Sequence, residues 1–68
     1  MAGSAKFLYY QDHAGAWRWH LEAPDHKILA DSGQGYREER DCVRGINLMK
    51  LYAPGADISK VQVPQERR

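Results

Sequence analysis

The sequence predicts an α+β domain in which three antiparallel strands are followed by one helix and a C-terminal strand. Residues 16–22 alternate apolar and polar side chains, as in a half-buried strand, and residues 37–52 place apolar side chains at helical spacing. The chain has 68 residues, which leaves room for one domain. We predict that this domain spans residues 6–63, between flexible tails at residues 1–5 and 64–68.

The first two predicted strands form a hairpin. Residues 6–11 are rich in aromatic side chains, which favour strands, and Gly15 lies in the turn that follows. In the second strand, one face carries Trp17, Trp19 and Leu21. The other face carries Arg18, His20 and Glu22. We expect the tryptophan face to be the core face, together with Phe7 and Tyr9 of the first strand.

A third short strand and the helix complete the predicted core. The strand covers residues 27–31, after a turn at Pro24. The apolar stripe of the helix consists of Cys42, Ile46, Met49 and Ala53, flanked by Val43. Gly45 lies within the helix, where glycine costs about 1 kcal/mol relative to alanine, so we expect a close packing contact there.

The C-terminal segment predicts a last edge strand. Val61 and Val63 alternate with polar residues, and Pro64 ends the pattern. Leu48 and Leu51 lie off the main helical stripe, which predicts that this segment or a second chain covers them.

Composition restricts the class of protein. The formal net charge of +1 argues against a dedicated nucleic-acid binder, and no apolar run approaches the length of a membrane span. Cys42 is the single cysteine, which excludes a disulfide within the chain. One free thiol without a visible signal peptide predicts a cytoplasmic protein. The three histidines lack the spacing of a zinc site, so we expect no metal or other cofactor. A core this small predicts stabilisation by oligomerisation.

The order of short motifs resembles one family of small proteins. The motifs are Phe7-x-x-Tyr10-x-Asp12-x-x-Gly15-x-Trp17-Arg18-Trp19-x-Leu21-x-Ala23, then Ile28-Leu29-Ala30-Asp31-Ser32, Gly35-Tyr36 and Cys42-x-x-Gly45-Ile46. They cover roughly residues 6–51 and resemble the YegP-like family of small, mostly bacterial proteins.

The resemblance implies an architecture rather than an activity. Members of this family have β-β-β-α-β units that are paired, in tandem or as homodimers, into one shared sheet with exchanged C-terminal strands. A chain with one unit is therefore expected to form a homodimer. The family has no established biochemical activity, so the resemblance supplies no site residues. Arg37 stands where members carry a Ser or Thr helix cap, so the first helical turn is expected to fray, to start later or to be capped from elsewhere.

The face opposite the tryptophans is the candidate binding surface. It would combine an aromatic ring, a cation, an imidazole and a carboxylate, from Tyr10, Arg18, His20 and Glu22. The alternative for this face is an ordinary solvated surface. We expect a binding or protein-interaction module without catalysis, whose further partner is an unknown protein or small ligand.

Two other functions stay open at this point. The first is weak nucleic-acid binding through Arg18 and a basic helix face formed by Arg37, Arg40 and Arg44. The second, and the least favoured, is an enzyme centred on His20 and Glu22, which would need a deep cleft around those side chains.

Overall fold

A computed structural model describes residues 4–62 of the chain. In chain order, it contains β1 (Lys6–Gln11), β2 (Trp17–Glu22), β3 (Ile28–Asp31), α1 (Glu39–Tyr52) and a 3-10 turn (Ala53–Gly55). This confirms the prediction of three strands followed by one helix. The predicted tail at residues 64–68 lies outside the described residues, as does most of the predicted tail at residues 1–5.

The three strands form one antiparallel sheet in the order β1-β2-β3. Tyr9 lies opposite Trp19, and Tyr10 lies opposite Arg18. Because residues directly opposite each other share a face, this register separates the tryptophans from the face that carries Arg18. The predicted faces of the hairpin are therefore correct. Between β2 and β3, the register shifts at Leu21 and Glu22, which marks an irregularity that the sequence pattern does not reveal.

The core lies between β2 and the inner side of α1. Trp19, Cys42 and Ile46 are 5%, 0% and 8% exposed. Partly buried side chains surround them, namely Phe7, Trp17, Ala30, Tyr36 and Met49. Phe7 meets Trp19 edge to face, with ring centroids 5.3 Å apart. Tyr9 faces the same side but is 43% exposed.

Two glycines allow close approaches between elements. A Cβ atom at Gly45 would lie 2.6 Å from the Tyr36 hydroxyl oxygen, so glycine lets α1 approach that ring, as predicted. Gly33 has a φ of 71°, a left-handed conformation that glycine adopts without strain. At Gly35, a Cβ atom would lie 2.6 Å from the Ala16 Cβ, so close packing requires this glycine.

The helix begins at Glu39, and Glu38 occupies the cap position without a side-chain hydrogen bond to the first turn. The helical pattern starts at Arg37, so the observed helix has the later start that was one of the outcomes expected where Arg37 replaces a Ser or Thr cap. At the other end, Ala53 lies in the exposed 3-10 turn and not in the buried stripe.

Residues 56–62 form no strand within the single chain, and Val63 lies outside the described residues. The expected C-terminal strand is one that pairs with a second copy, so it stays a prediction. Ile58 is fully exposed, and Val61 is 70% exposed. A strand needs a partner for its backbone hydrogen bonds, and this segment pairs with no part of the sheet in residues 4–62. None of the helices described is both long and apolar enough to cross a bilayer.

Candidate functional site

The four predicted binding residues lie on the sheet face turned away from α1. We call this surface the open face and define it by Leu8, Tyr10, Arg18, His20 and Glu22. Leu8 lies opposite His20, and the rings of Tyr10 and His20 are 5.9 Å apart at an angle of 52°. The register therefore brings the predicted aromatic ring and imidazole together.

Arg18 is already engaged by a carboxylate. Its Nε donates to Asp12 Oδ2 at 2.6 Å, and the other Asp12 oxygen accepts from the backbone N–H groups of Ala14 and Ala16. The hydrogen bond from Arg18, helped by the backbone N–H groups, lowers the pKa of Asp12. The same hydrogen bond raises the pKa of Arg18. Arg18 thus fastens the β1–β2 loop to β2, and its charge is largely balanced.

Glu22 lies at the other end of the open face, near the β2–β3 turn. Its Oε1 is 3.8 Å from Nδ1 of His26, which becomes an ion pair when His26 is protonated. His26 has a φ of 74°, in the left-handed region that non-glycine residues rarely adopt. Asp31 on β3 lies opposite His20 and adds a carboxylate to the open face that the sequence analysis did not include.

An enzyme centred on His20 and Glu22 would need a deep cleft around those side chains. The two cavities described below lie on the helix side of the molecule, and neither is lined by His20 or Glu22. In the described part of the chain, no three side chains of His, Cys, Asp or Glu converge in a group that could hold a metal ion. What the open face offers chemically is contact, through two rings, an apolar side chain and charges of both signs.

The predicted basic helix face is weaker than its composition suggests. Arg37 precedes the helix, and Arg40 Nε lies 3.7 Å from Glu38 Oε1. Together with the Arg18–Asp12 pair, this leaves fewer cations for phosphate than the sequence suggests. Arg40 and Arg44 instead border an open groove of about 570 Å³ along the outer side of α1, whose apolar lining includes Leu48 and Leu51.

A second cavity lies between β1 and α1. This β1–α1 cleft has a volume of about 500 Å³ and is lined by Ala5, Lys6, Phe7, Tyr9, Leu21, Val43, Ile46, Asn47 and Lys50. At the helix N-terminal side, the Tyr9 hydroxyl donates to Glu39 Oε2 at 3.0 Å, and this bond raises the pKa of Tyr9. It ties the end of β1 to the first turn of α1.

Two features of these surfaces escaped the sequence analysis. The first is the role of Asp12, for which a signal exists: the hairpin brings an acidic turn residue back towards a basic residue six positions later. The second is the cleft with Asn47 and Lys50, which depends on how far α1 covers the sheet. No local pattern in the sequence predicts where α1 lies across the sheet.

The fold and the open face define a small α+β domain with a helix on one side of a meandering sheet and an exposed mixed surface on the other. The model of the domain of unknown function DUF1508 matches residues 12–59. The chain therefore belongs to this family, which is the YegP-like family, also called UPF0339, and which has no known biochemical function.

Relatives match almost from end to end. A UPF0339 protein of Methanosarcina acetivorans is 43% identical over 54 residues, covering 79% of this chain and 91% of the relative. A UPF0339 protein of Neisseria meningitidis is 33% identical over 55 residues, covering 81% and 96%. The solution structure of a Haloferax volcanii protein matches with a TM-score of 0.78 and 37% identity, over 87% of this chain and 98% of that chain. Because archaeal proteins are among these relatives, family membership does not assign the chain to bacteria.

Proposed function

We propose that this protein is a homodimeric binding module without catalysis, that it works in the cytoplasm, and that it uses the open face as its contact surface. The observation that carries the proposal is the strand register, which gathers Leu8, Tyr10 and His20 on a sheet face that no helix of the described chain covers. Rings and an apolar side chain between charged neighbours are typical of a surface that contacts another molecule.

The exposed area of the chain supports pairing with a second copy. The chain exposes 6062 Å² of surface, whereas a compact protein of 7.8 kDa exposes about 4,400 Å². Its radius of gyration is 14.9 Å, against about 11 Å for a compact chain of 68 residues. Part of the excess comes from residues 56–62, which are all exposed. One partner in a stable complex typically buries about 800 Å², so the excess is large enough for such an interface.

The C-terminal segment supports strand exchange as the form of pairing. Ile58 and Val61 are exposed apolar side chains on a segment without backbone partners in residues 4–62. The sheet has two free edges, at β1 and β3, which present unpaired backbone groups. If the segment added to one edge of the sheet of a second copy, the backbone groups of the segment and of that edge would be paired. The C-terminal segment would then be a fourth strand beside the three strands of the second copy.

The first test is the solution mass, measured by size-exclusion chromatography with light scattering at low micromolar concentration. The chain mass is 7.8 kDa, so the dimer predicts twice that value. A chain ending at Gly55 then tests the exchange, because loss of the C-terminal segment should return the protein to a monomer. A full-length chain that stays monomeric contradicts the homodimer.

The second test asks whether the open face is accessible in the assembled protein. Cys42 is fully buried, so a cysteine placed elsewhere can be followed by its reaction with a maleimide. Leu8→Cys reports on the open face, and His13→Cys in the exposed β1–β2 loop is the matched control. We expect comparable reaction rates for the two variants in the dimer. A Leu8→Cys thiol that reacts only after denaturation means that the open face is covered, and the proposal is then abandoned.

A further inference from the structure

The outer edge of β1 carries backbone groups that have no partner strand in residues 4–62. Trp19 accepts a hydrogen bond from the backbone N–H of Ser32, so its backbone groups point towards β3. Tyr9 lies opposite Trp19. Residues that face each other in an antiparallel pair either bond to each other or both point away, so the N–H and C=O of Tyr9 point outwards. Strand alternation gives Phe7 and Gln11 the same orientation.

The two free edges of the sheet differ in how well they resist pairing. The strand β3 has four residues, its pairing with β2 is irregular, and it carries the charge of Asp31. Short, irregular and charged edges resist the addition of another strand. The strand β1 has six residues in continuous register, and its centre, Phe7-Leu8-Tyr9-Tyr10, carries no charge. Only the edge at β1 therefore has the length and regularity that favour pairing with a further strand.

The β1–α1 cleft lies on the helix side of the sheet, beside this edge. Its lining includes Phe7 and Tyr9 from β1 and Val43 and Asn47 from α1, so apolar and polar side chains are mixed. A strand added beside β1 would turn every second side chain towards the helix side of the sheet, where the cleft is open. A mixed lining suits the mixed side chains of a polypeptide segment.

The C-terminal segment has the length and the side-chain pattern for this position. Residues 56–62 number seven, against six in β1. In an extended conformation, Ser59 and Val61 lie on one face of the segment, and Lys60 and Gln62 lie on the other. The exposed side chain of Val61 suits the apolar part of the cleft, and the hydroxyl of Ser59 suits its polar part.

We infer that β1 is the edge that receives the C-terminal segment of a second copy, and that the β1–α1 cleft holds Ser59 and Val61 of that segment. The inference rests on the proposed homodimer with strand exchange, and it adds the receiving edge and the site of the side chains. The competing arrangement pairs β1 with β1 of the second copy. That arrangement would leave Ile58 and Val61 exposed and the backbone of residues 56–62 unpaired, so the segment is the better partner.

The first experiment is amide hydrogen exchange on the full-length dimer, followed by NMR. We expect the outward amides of Phe7 and Tyr9 to exchange at least about tenfold more slowly than the amide of Asp31, after correction for their intrinsic rates. Asp31 is the internal control, because it lies opposite His20 and points its N–H away from β2 on the edge that stays free. Equally fast exchange of the three amides would overturn the inference.

The second experiment measures which edge the segment of the other copy approaches. Cys42 is fully buried, so the variant Lys60→Cys takes a nitroxide label at position 60 alone. Labelled chains are unfolded and refolded with an equal amount of nitrogen-15-labelled wild-type chains, so that every line broadening of the wild-type signals comes from the other copy. We expect strong broadening at Leu8 and Tyr9 and much weaker broadening along β3.

The matched variants are Val61→Lys and Gln62→Lys, which place the same charge on the two faces of the segment. Both positions are exposed in the single chain, so neither change disturbs its core. Because Val61→Lys brings a charge into the cleft, it should raise the dissociation constant of the dimer at least about tenfold. The dissociation constant of Gln62→Lys should stay within about twofold of the wild-type value.

The outcomes separate this inference from the proposed homodimer. A dimer in which the nitroxide broadens β3 instead of β1 keeps the strand exchange and overturns the choice of edge. A dimer in which Val61→Lys and Gln62→Lys weaken association equally overturns the assignment of Val61 to the cleft. A dimer without broadening at either edge overturns the inference and strand exchange together. A full-length chain with the mass of a monomer overturns the homodimer as well.

Discussion

Replacing Gly45 by alanine tests the closest contact between helix and sheet. The added Cβ would lie 2.6 Å from the Tyr36 hydroxyl oxygen, 3.2 Å from the ring carbon that carries it, and 3.5 Å from Trp19 Nε1. The backbone of Tyr36 is held in place, because its N–H and C=O are both hydrogen-bonded to Trp17, at 2.8 Å. The clash must therefore be relieved by rotation of the Tyr36 side chain or by a shift of the helix.

Two opposing effects set the magnitude. Overpacking a tight contact costs about 1–3 kcal/mol, whereas alanine is better than glycine in a helix by about 1 kcal/mol. We expect Gly45→Ala to lower the free energy of unfolding by about 1 kcal/mol, which corresponds to a fall in Tm of about 4–8 °C for a chain of this size. Gly45→Leu adds further carbons at the same position and should prevent folding.

The assay is thermal and denaturant unfolding at a fixed chain concentration, because association changes apparent stability. Tyr36→Phe provides the informative background, since it removes the oxygen at 2.6 Å. In that background, the cost of Gly45→Ala should fall towards zero or become a gain. Gly55→Ala is the control, because no atom lies within 4 Å of the Cβ it would add.

One result would refute the packing argument. If Gly45→Ala raises Tm in the wild-type background as much as helix propensity alone allows, then the approach of α1 to Tyr36 is not tight. An unchanged Tm in Gly45→Leu would lead to the same conclusion.

Three further predictions concern the turns and the core. His26→Gly should stabilise the protein by about 0.5–1 kcal/mol. A left-handed backbone costs a non-glycine residue about 1–2 kcal/mol, but glycine loses more conformational entropy on folding, which offsets part of the gain. A lower Tm would show that the contact of His26 with Glu22 outweighs the relief of strain. The folded state lowers the pKa of Asp12. The ionised carboxylate therefore contributes stability to the folded protein above pH 3.8, and this stability is lost as the pH falls through the lower pKa of the folded state. Asp12→Asn should thus be less stable than wild type at neutral pH, with a difference that shrinks below pH 3.8; a constant difference would contradict the role of the pair with Arg18. Burial raises the pKa of Cys42, so its thiol should react with a disulfide reagent only after unfolding, and rapid reaction of the native protein would contradict the buried position.

The faces of the hairpin could be predicted from the sequence because a strand alternates its side chains with a fixed period. Trp17, Trp19 and Leu21 could share a face only if Arg18 and His20 faced the other way. The apolar stripe of the helix could also be predicted, because Cys42 and Ile46 are one turn apart in the sequence, and both are buried in the structure. The position of Gly45 also carried information, because a glycine within a helix needs a compensating contact.

Features that depend on the distance between elements could not be predicted. The stripe pattern extended to Ala53, yet the helix leaves the sheet before that residue and Ala53 is exposed. The β1–α1 cleft depends on where α1 crosses the sheet. For the pair of Arg18 with Asp12, the sequence offered the spacing in the hairpin, but the loop conformation decides that the two side chains meet. The C-terminal strand stays a prediction for a similar reason, because a strand pattern does not supply a pairing partner.

The meander order of the sheet has a consequence for how the molecule opens. Each strand pairs with its neighbour in sequence, so both hairpins close over short loops, whereas α1 must dock across the chain onto Trp19. The buried side chains that hold α1 are few, namely Cys42 and Ile46 against that one indole. The hydrogen bond between Tyr9 and Glu39 also holds α1, but it is exposed. Opening of this small buried cluster would therefore release the helix while the hairpin of β1 and β2 keeps its backbone hydrogen bonds. Amide hydrogen exchange should therefore be faster in α1 than at the centre of β2.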